Sequence, residues 1–220
     1  MEYYSIIIPI YNEENYIAQL LNIYLLSLYL GKAKNVLSDD EFQRSLQEIS
    51  RLPEAIECIL NQKDTIEALA ERYFESRDFI FIGRGVNYPT ALEGALKLKE
   101  ISYIHATGYP AGELKHGPIA LIDDKMPVIC ICPQTSTYDK MVSNIQEVKA
   151  RSGQIITIAT EGDTAVQDFS KDVIYIPKCS EAISPILSVI PLQLLSYYIA
   201  KKLGCNVDQP RNLAKSVTVE

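Results

Sequence analysis

The sequence predicts an α/β fold of three layers, in which a parallel β-sheet is flanked by helices and preceded by a helical segment. Three observations support this prediction. Four short runs from Phe79 onward are mostly apolar, which is typical of parallel strands buried on both faces. Apolar residues at helical spacing fill the stretches between these runs. The first half shows mainly helical patterns.

The composition limits the classes of function. The 220 residues are 47% hydrophobic and 22% charged, which is typical of a globular protein. The net charge of −7 and the pI of about 5.0 argue against a basic face that binds nucleic acid. None of the five cysteines forms a C-x-x-C pair, so we expect no metal site, and no cofactor is predicted.

Start and stop signals divide the first half into helices. Ile17–Leu30 carries a broad apolar surface at helical spacing. Ser38–Glu41 has the form of a capping box that opens a second helix, and Pro53 suits the first turn of the next one. Asp64–Glu67 repeats the start signal. Ser5–Glu14 differs from the rest, because it is predicted to be a strand followed by a polar turn.

The period of the apolar pattern changes at Phe79. The predicted strands are Phe79–Gly83, Pro127–Cys132, Gln154–Ala159 and Val173–Ile176. The predicted helices between and after them are Tyr88–Ile104, Tyr138–Arg151 and Ala182–Leu203. We therefore expect an α/β domain over residues 77–220, and we assign residues 1–76 to an N-terminal strand and helical segment.

One uncharged stretch is long enough to cross a membrane. This stretch, Ala182–Ala200, contains Pro185, Pro191 and Gln193, so a helix buried in the domain core is the better prediction. The first basic residue of the chain is Lys32, so the charged start of a signal peptide is missing. We therefore expect a cytoplasmic protein without a membrane segment.

The first strand-to-helix crossing is a candidate ligand-binding turn. Ligands of open α/β sheets bind at the carboxyl ends of strands and at helix N-termini. Gly83 and Gly85 permit a tight turn with free backbone N–H groups, and Arg84 adds a positive charge. The alternative is a plain strand-to-helix turn, because these residues fall short of a dinucleotide-binding fingerprint.

The helix that follows places three charged residues on one face. Glu93, Lys97 and Glu100 lie at positions i, i+4 and i+7 of the predicted helix. Two interpretations remain open. The face is either a solvated ion pair, or it holds a carboxylate base that the neighbouring ammonium keeps ionised.

Two further residues are candidates for chemistry. His116 lies in a loop between two glycines, and it is the better of the two histidines for a group that titrates near neutrality. The other histidine, His105, is interpreted as the end of the preceding helix. Lys215 lies in a C-terminal tail, and its position alone would class it as a solvated lysine.

Four segments together resemble one family. They are Gly83–Gly85, Leu92–His105, Gly112–Pro118 and Asp208–Glu220. These segments are similar to the C-terminal end of the glutamine–fructose-6-phosphate aminotransferases, also called glucosamine-6-phosphate synthases. The resemblance runs from about Ala18 to the end of the chain and implies a sugar-isomerase fold with a five-stranded parallel sheet.

The resemblance also implies a role for each candidate residue. Lys215 would form a Schiff base with an open-chain ketose phosphate, and Glu100 would move a proton between C1 and C2. Lys97 would help to stabilise the enediol-like intermediate. His116 would assist ring opening from the other subunit of a dimer, and the turn Gly83–Arg84–Gly85 would contact the substrate.

Parts of the family enzyme have no counterpart in this sequence. The first residues lack a catalytic cysteine, so we expect no glutaminase domain, and only the helix near Ala18–Leu30 represents the first sugar-isomerase half. We therefore expect a homo-oligomer, or a complementary isomerase or glutaminase partner. Two other hypotheses remain: a non-catalytic sugar-phosphate-binding or dimerising module and, on Ser5–Tyr16 alone, a nucleotide-sugar glycosyltransferase.

Overall fold

The structure is a computed structural model that describes residues 13–211. Its helices are α1 (Glu13–Ala33), α2 (Asp39–Ser50), α3 (Leu52–Leu60), α4 (Lys63–Tyr73), α5 (Asn87–Ser102), α6 (Tyr138–Lys149) and α7 (Ser184–Lys202). Its strands are β1 (Asp78–Gly83), β2 (His105–Pro110), β3 (Pro127–Cys132), β4 (Gln154–Thr160) and β5 (Asp172–Ile176). Short 3₁₀ helices lie at Ala111–His116, Pro118–Leu121 and Ala165–Asp168.

The five described strands form one parallel sheet in the order β2-β1-β3-β4-β5. Alternate residues of β1 enter different cores: Phe79 and Phe81 pack into one apolar cluster, and Ile80 and Ile82 pack into the other. The first cluster also holds residues of α3, α4, α5 and α7, so we call that side the α5 face. The second holds residues of α6 and of the 3₁₀ helix Ala111–His116, and we call it the α6 face. The predicted three-layer α/β fold with a parallel sheet is confirmed.

The strand β2 was not predicted, and the prediction that His105 ends a helix is wrong. Helix α5 ends at Ser102, and Tyr103 follows in a left-handed conformation (φ 62°, ψ 11°). His105 instead opens β2, where its Nδ1 lies 2.7 Å from Oδ1 of Asp78, the first residue of β1. Because β2 lies at the edge of the sheet and buries only one of its six residues, it carries no apolar run that would reveal it.

Helix α7 confirms the prediction of a buried helix near the end of the chain. Most of its 19 residues are buried, including Pro191 and Gln193. It packs against α4 and α5 on the α5 face of the sheet. None of the described helices is long and apolar enough to cross a membrane.

The start of α2 matches its predicted capping box. The N–H of Glu41 donates to Oγ of Ser38 at 3.2 Å, and the N–H of Ser38 donates back to the Glu41 carboxylate at 2.9 Å. The predicted start signal at Asp64–Glu67 is wrong in detail, because α4 begins at Lys63 and Gln62 precedes it without a side-chain cap. Tertiary packing therefore sets this start more than local capping does.

The predicted N-terminal strand lies largely outside the described residues. Its proposed polar turn reached Glu13 and Glu14, and this part of the prediction is wrong, because both residues belong to α1. Apolar residues of α3 and α4 share one core cluster with the sheet. The boundary between residues 76 and 77 stays a prediction.

A buried contact ties α4 to the start of β5. The hydroxyl of Tyr73 donates to Oδ2 of Asp172 at 2.5 Å, and Nη2 of Arg72 lies 2.7 Å from Oδ1 of the same carboxylate. The Asp172 side chain is only 8% exposed, so it depends on these two partners in place of water. Burial and the Asp172 carboxylate raise the pKa of the Tyr73 phenol, which therefore stays protonated as the donor.

Candidate active site

The turn between β1 and α5 is as tight as its glycines predict. A Cβ on Gly83 would lie 2.2 Å from the backbone oxygen of Asn87, and Gly85 has a φ of 53°. Nη1 of Arg84 donates to Oδ1 of Asn144 on α6 at 2.7 Å. The guanidinium is thus held between elements of the fold, and a role of this turn in substrate binding stays a prediction.

Helix α5 brings together three of the predicted charged residues. Nζ of Lys97 lies 2.9 Å from Oε2 of Glu100 and 3.6 Å from Oε1 of Glu93. The three side chains are partly buried, with exposures of 13% for Lys97, 14% for Glu93 and 27% for Glu100. This burial separates the cluster from an ordinary solvated ion pair.

Burial dominates the electrostatics of the first carboxylate in this cluster. It raises the pKa of Glu93, and the ammonium of Lys97 opposes that change while Glu100 reinforces it. The lysine therefore lies between two carboxylates that would otherwise repel each other. Such a cluster can both accept a proton and stabilise a developing oxyanion.

The cluster and the β1–α5 turn lie at different ends of α5. A helix rises about 1.5 Å per residue, so the 13 steps from Asn87 to Glu100 correspond to about 20 Å. The turn lies at the carboxyl edge of the sheet, and α5 runs back from it. The structure therefore does not bring Gly83, Arg84 or Gly85 next to Glu100.

His116 lies on the other side of the sheet from the charged cluster. It ends the 3₁₀ helix Ala111–His116, whose Ala111 and Leu114 pack in the core of the α6 face. Its Nδ1 lies 2.8 Å from Oε2 of Glu113, and its side chain is 61% exposed. Because α5 covers the opposite face, the sheet separates His116 from Glu100 within one chain.

Arg211, the last residue that the structure describes, is docked at the end of α5. The backbone N–H of Arg211 donates to the hydroxyl of Tyr103 at 2.8 Å, and the centre of its guanidinium lies 4.1 Å from the centroid of that ring. Lys215 itself lies outside the described residues.

A polar loop at the carboxyl edge of β3 was not predicted from the sequence. This loop, Gln134–Thr137, precedes α6 and carries three hydroxyl side chains. The N–H and the Oγ of Ser136 donate to the carboxylate of Glu181, at 3.3 and 2.9 Å. A Ser/Thr run between a buried strand and a helix is the signal that would have found it. The carboxylate of Glu181 occupies the place where such a loop could hold an anion.

No metal centre is evident in the described part of the chain. Among residues 13–211, no group of three or more His, Cys, Asp or Glu side chains is arranged to hold a metal ion. The two cysteines of β3, Cys130 and Cys132, are buried, and burial raises the pKa of both thiols, that of Cys132 to about 12. They are therefore protonated and packed as small apolar side chains.

The sequence and the fold agree with one protein family. Residues 72–201 match the SIS domain family, and the chain belongs to that family. Solved structures below 25% identity show the same fold. One of them is a putative tagatose-6-phosphate ketose/aldose isomerase from Clostridium novyi, with a TM-score of 0.72 at 18% identity over 82% of this chain and 50% of that one.

More similar relatives narrow the comparison to one enzyme. The chain is 54% identical over 203 residues to glutamine–fructose-6-phosphate aminotransferase (isomerizing) from Chlorobaculum tepidum, which covers 92% of this chain and 33% of that protein. The enzyme of the same name from Thermus thermophilus is 54% identical over 205 residues, 93% of this chain and 34% of that protein.

The most informative solved structure is the C-terminal domain of glucosamine-fructose-6-phosphate aminotransferase from Francisella tularensis. It matches with a TM-score of 0.83 at 40% identity, over 88% of this chain and 55% of that chain. The chain is therefore homologous to the C-terminal, isomerase part of these aminotransferases. It spans about a third of the length of the curated relatives.

Proposed function

We propose that the chain carries the isomerisation step of glucosamine-6-phosphate synthesis, in which fructose 6-phosphate and ammonia yield glucosamine 6-phosphate. The identity to the aminotransferases supports this assignment. The observation that carries it is the partly buried cluster of Glu93, Lys97 and Glu100 on α5, together with Arg211, which is docked at the end of the same helix. A sugar phosphate is the ligand in this proposal.

The chemistry begins at Lys215 in this scheme. Its neutral amine adds to the C2 carbonyl of the open-chain ketose, and loss of water gives the Schiff base. Ammonia then displaces the lysine and leaves an imine at C2. Glu100 removes a proton from C1 and delivers it to C2, which turns the ketose imine into the amino aldose. Lys97 stabilises the negative charge that develops on oxygen during this transfer.

The geometry of the cluster supports these two roles. Lys97 contacts Glu100 directly, so the ammonium lies beside the carboxylate that acts as the base. Partial burial lowers the local dielectric, so the charge of Lys97 acts more strongly on an oxyanion than it would in water. Glu93, on the other side of Lys97, fixes the position of the ammonium.

In this scheme His116 contributes to the active site of a second copy of the chain. It is exposed, and the sheet separates it from the cluster of its own subunit. A histidine can protonate the ring oxygen and open the sugar ring. We therefore propose a homo-oligomer in which each site combines Glu100 of one subunit with His116 of another.

Reductive trapping tests the proposed function. The full 220-residue chain is incubated with fructose 6-phosphate and borohydride, which adds hydride to an imine and fixes the sugar to the amine. We expect one adduct, at Lys215, which disappears in Lys215→Arg and persists in the surface control Lys34→Arg. Labelling spread over many lysines, or no adduct, would contradict the proposal.

The alternative to an isomerase is a non-catalytic module that binds the sugar phosphate or forms a dimer. In the polar loop before α6, the donors of Ser136 are bound to Glu181, so a phosphate that binds Ser136 would displace that carboxylate. A chain that binds a sugar phosphate without turning it over would show heat of binding by calorimetry but no adduct at Lys215. That pair of results would select the binding module over the isomerase.

A further inference from the structure

We propose that Tyr103 is a positioning residue, which clamps the segment preceding Lys215 onto the end of α5, beside Glu100. The inference rests on the proposed function, because it explains how the lysine and the base come to act on one substrate. The geometry behind it is the pair of contacts between Tyr103 and Arg211.

The backbone of Tyr103 is strained. It caps α5 in the left-handed region, with φ 62° and ψ 11°, where glycine is the usual residue. A bulky side chain is an outlier in that conformation, since its Cβ crowds the backbone. Strain of this kind persists only where the surrounding contacts hold it, and it is concentrated at functional positions.

The side chain of Tyr103 supplies the contact that glycine could not. Its hydroxyl accepts the backbone N–H of Arg211 at 2.8 Å. Its ring faces the guanidinium of the same residue, with 4.1 Å between the guanidinium carbon and the ring centroid. Tyr103 thus fixes both the main chain and the side chain of Arg211.

The residues between α7 and Arg211 form a compact turn that leads into this clamp. Sγ of Cys205 lies 3.9 Å from the backbone oxygen of Ser102, the last residue of α5. Oδ1 of Asn206 accepts the N–H groups of Asp208 and Gln209, both at 3.1 Å. Pro210, directly before Arg211, is buried. The segment is therefore held on both sides of the turn.

The clamp links the two halves of the proposed chemistry. Glu100 lies three residues before Tyr103, which is about one helical turn or 5 Å along the axis. Lys215 follows Arg211 by four residues, a reach of at most about 14 Å. Fixing Arg211 at Tyr103 therefore restricts the lysine to the neighbourhood of the base.

The variant Tyr103→Gly distinguishes a positioning role of Tyr103 from a role in folding. Tyr103→Gly removes both contacts and also relieves the left-handed strain, so we expect the melting temperature to stay within about 2 °C of the parent. A net hydrogen bond and an exposed cation–π contact together correspond to about a tenfold change in the equilibrium constant for docking. Tyr103→Phe keeps the ring, so the equilibrium constant for docking should fall only about threefold. Ser152→Gly, at another left-handed residue (φ 63°), is the matched control and should change nothing beyond stability.

Two measurements on the full chain test the clamp. Hydrogen–deuterium exchange follows the Arg211 amide, and reductive trapping with fructose 6-phosphate follows the Schiff base at Lys215. In Tyr103→Gly we expect about tenfold faster exchange and about tenfold less adduct, while calorimetry gives unchanged affinity for the sugar phosphate.

The outcomes separate the clamp from the proposed function. Unchanged exchange and trapping in Tyr103→Gly would overturn the clamp. A large drop in its melting temperature would overturn it too, because Tyr103 would then be a structural residue. Faster exchange in the variant, with no adduct even in the parent chain, would support the clamp and contradict the proposed function.

Discussion

The contact between Tyr73 and Asp172 allows a quantitative test of what joins the helical segment to the sheet. Tyr73→Phe removes the hydroxyl that donates to Oδ2 of Asp172 at 2.5 Å, and changes no other atom of the side chain. The carboxylate is 8% exposed, so water cannot replace the lost donor. Arg72 still binds the other oxygen, Oδ1, at 2.7 Å.

The expected cost follows from the charge on the acceptor. A buried hydrogen bond to a charged group contributes about 1.5–3 kcal/mol to the free energy of unfolding. For a chain of 220 residues, each kcal/mol corresponds to roughly 2–4 °C, so we expect the melting temperature to fall by roughly 3–12 °C. Thermal unfolding followed by circular dichroism measures the shift.

A control and a second variant sharpen this test. Tyr29→Phe removes the same hydroxyl from a residue that is 66% exposed, and it should leave the melting temperature unchanged. Asp172→Asn combined with Tyr73→Phe closes a double-mutant cycle that isolates the pair. A shift below about 1 °C in Tyr73→Phe would show that the contact does not stabilise the junction.

Two further predictions concern α5. Burial raises the pKa of Glu93, so the stability that its protonated form gives at acidic pH is lost as the pH rises through that raised pKa. In denaturant titrations, Glu93→Gln should therefore become more stable relative to the parent between acidic pH and pH 7. A difference in stability that stays constant with pH would contradict this prediction. A Cβ on Gly94 would lie 2.7 Å from Cδ1 of Leu192, so Gly94→Val should lower the free energy of unfolding by about 1–3 kcal/mol in the same titrations. The exposed control, Lys99→Val, should lower it by less than about 1 kcal/mol.

Local patterns predicted most of the fold, and a long-range pairing accounts for what they missed. Four strands were visible because central parallel strands are apolar on both faces. The fifth, β2, has one neighbour only and buries a single residue, so its pairing with β1 is the only thing that marks it as a strand. The end of α5 was misplaced for a related reason, since Tyr103 stands where a glycine would have signalled the turn.

In the candidate site, too, local spacing was predictable from the sequence and long-range contacts were not. The grouping of Glu93, Lys97 and Glu100 follows from helical spacing, so the sequence was enough to predict it. Their partial burial depends on elements distant in sequence and was not predictable. The contact between Tyr103 and Arg211 spans 108 residues, and no local pattern indicates it.

The position of His116 leads to the last prediction. His116 lies on the α6 face and Glu100 lies on helix α5 over the opposite face, so a shared site requires two subunits. We expect His116→Ala and Lys215→Arg each to give little trapped adduct alone. Co-expressed in equal amounts, they should regain about a quarter of the parent yield, because half of the random dimers carry one intact site of two.

The same mixture would yield no adduct if His116 served its own subunit, since each mixed dimer would then hold two damaged sites. Two variants of the same residue, Lys215→Arg and Lys215→Ala, form the matched control and should not complement each other. The mass of the parent chain in solution is measured as well, because two variants can restore the adduct only within a dimer or a larger assembly. A strictly monomeric chain that still forms the Lys215 adduct would therefore remove His116 from the site.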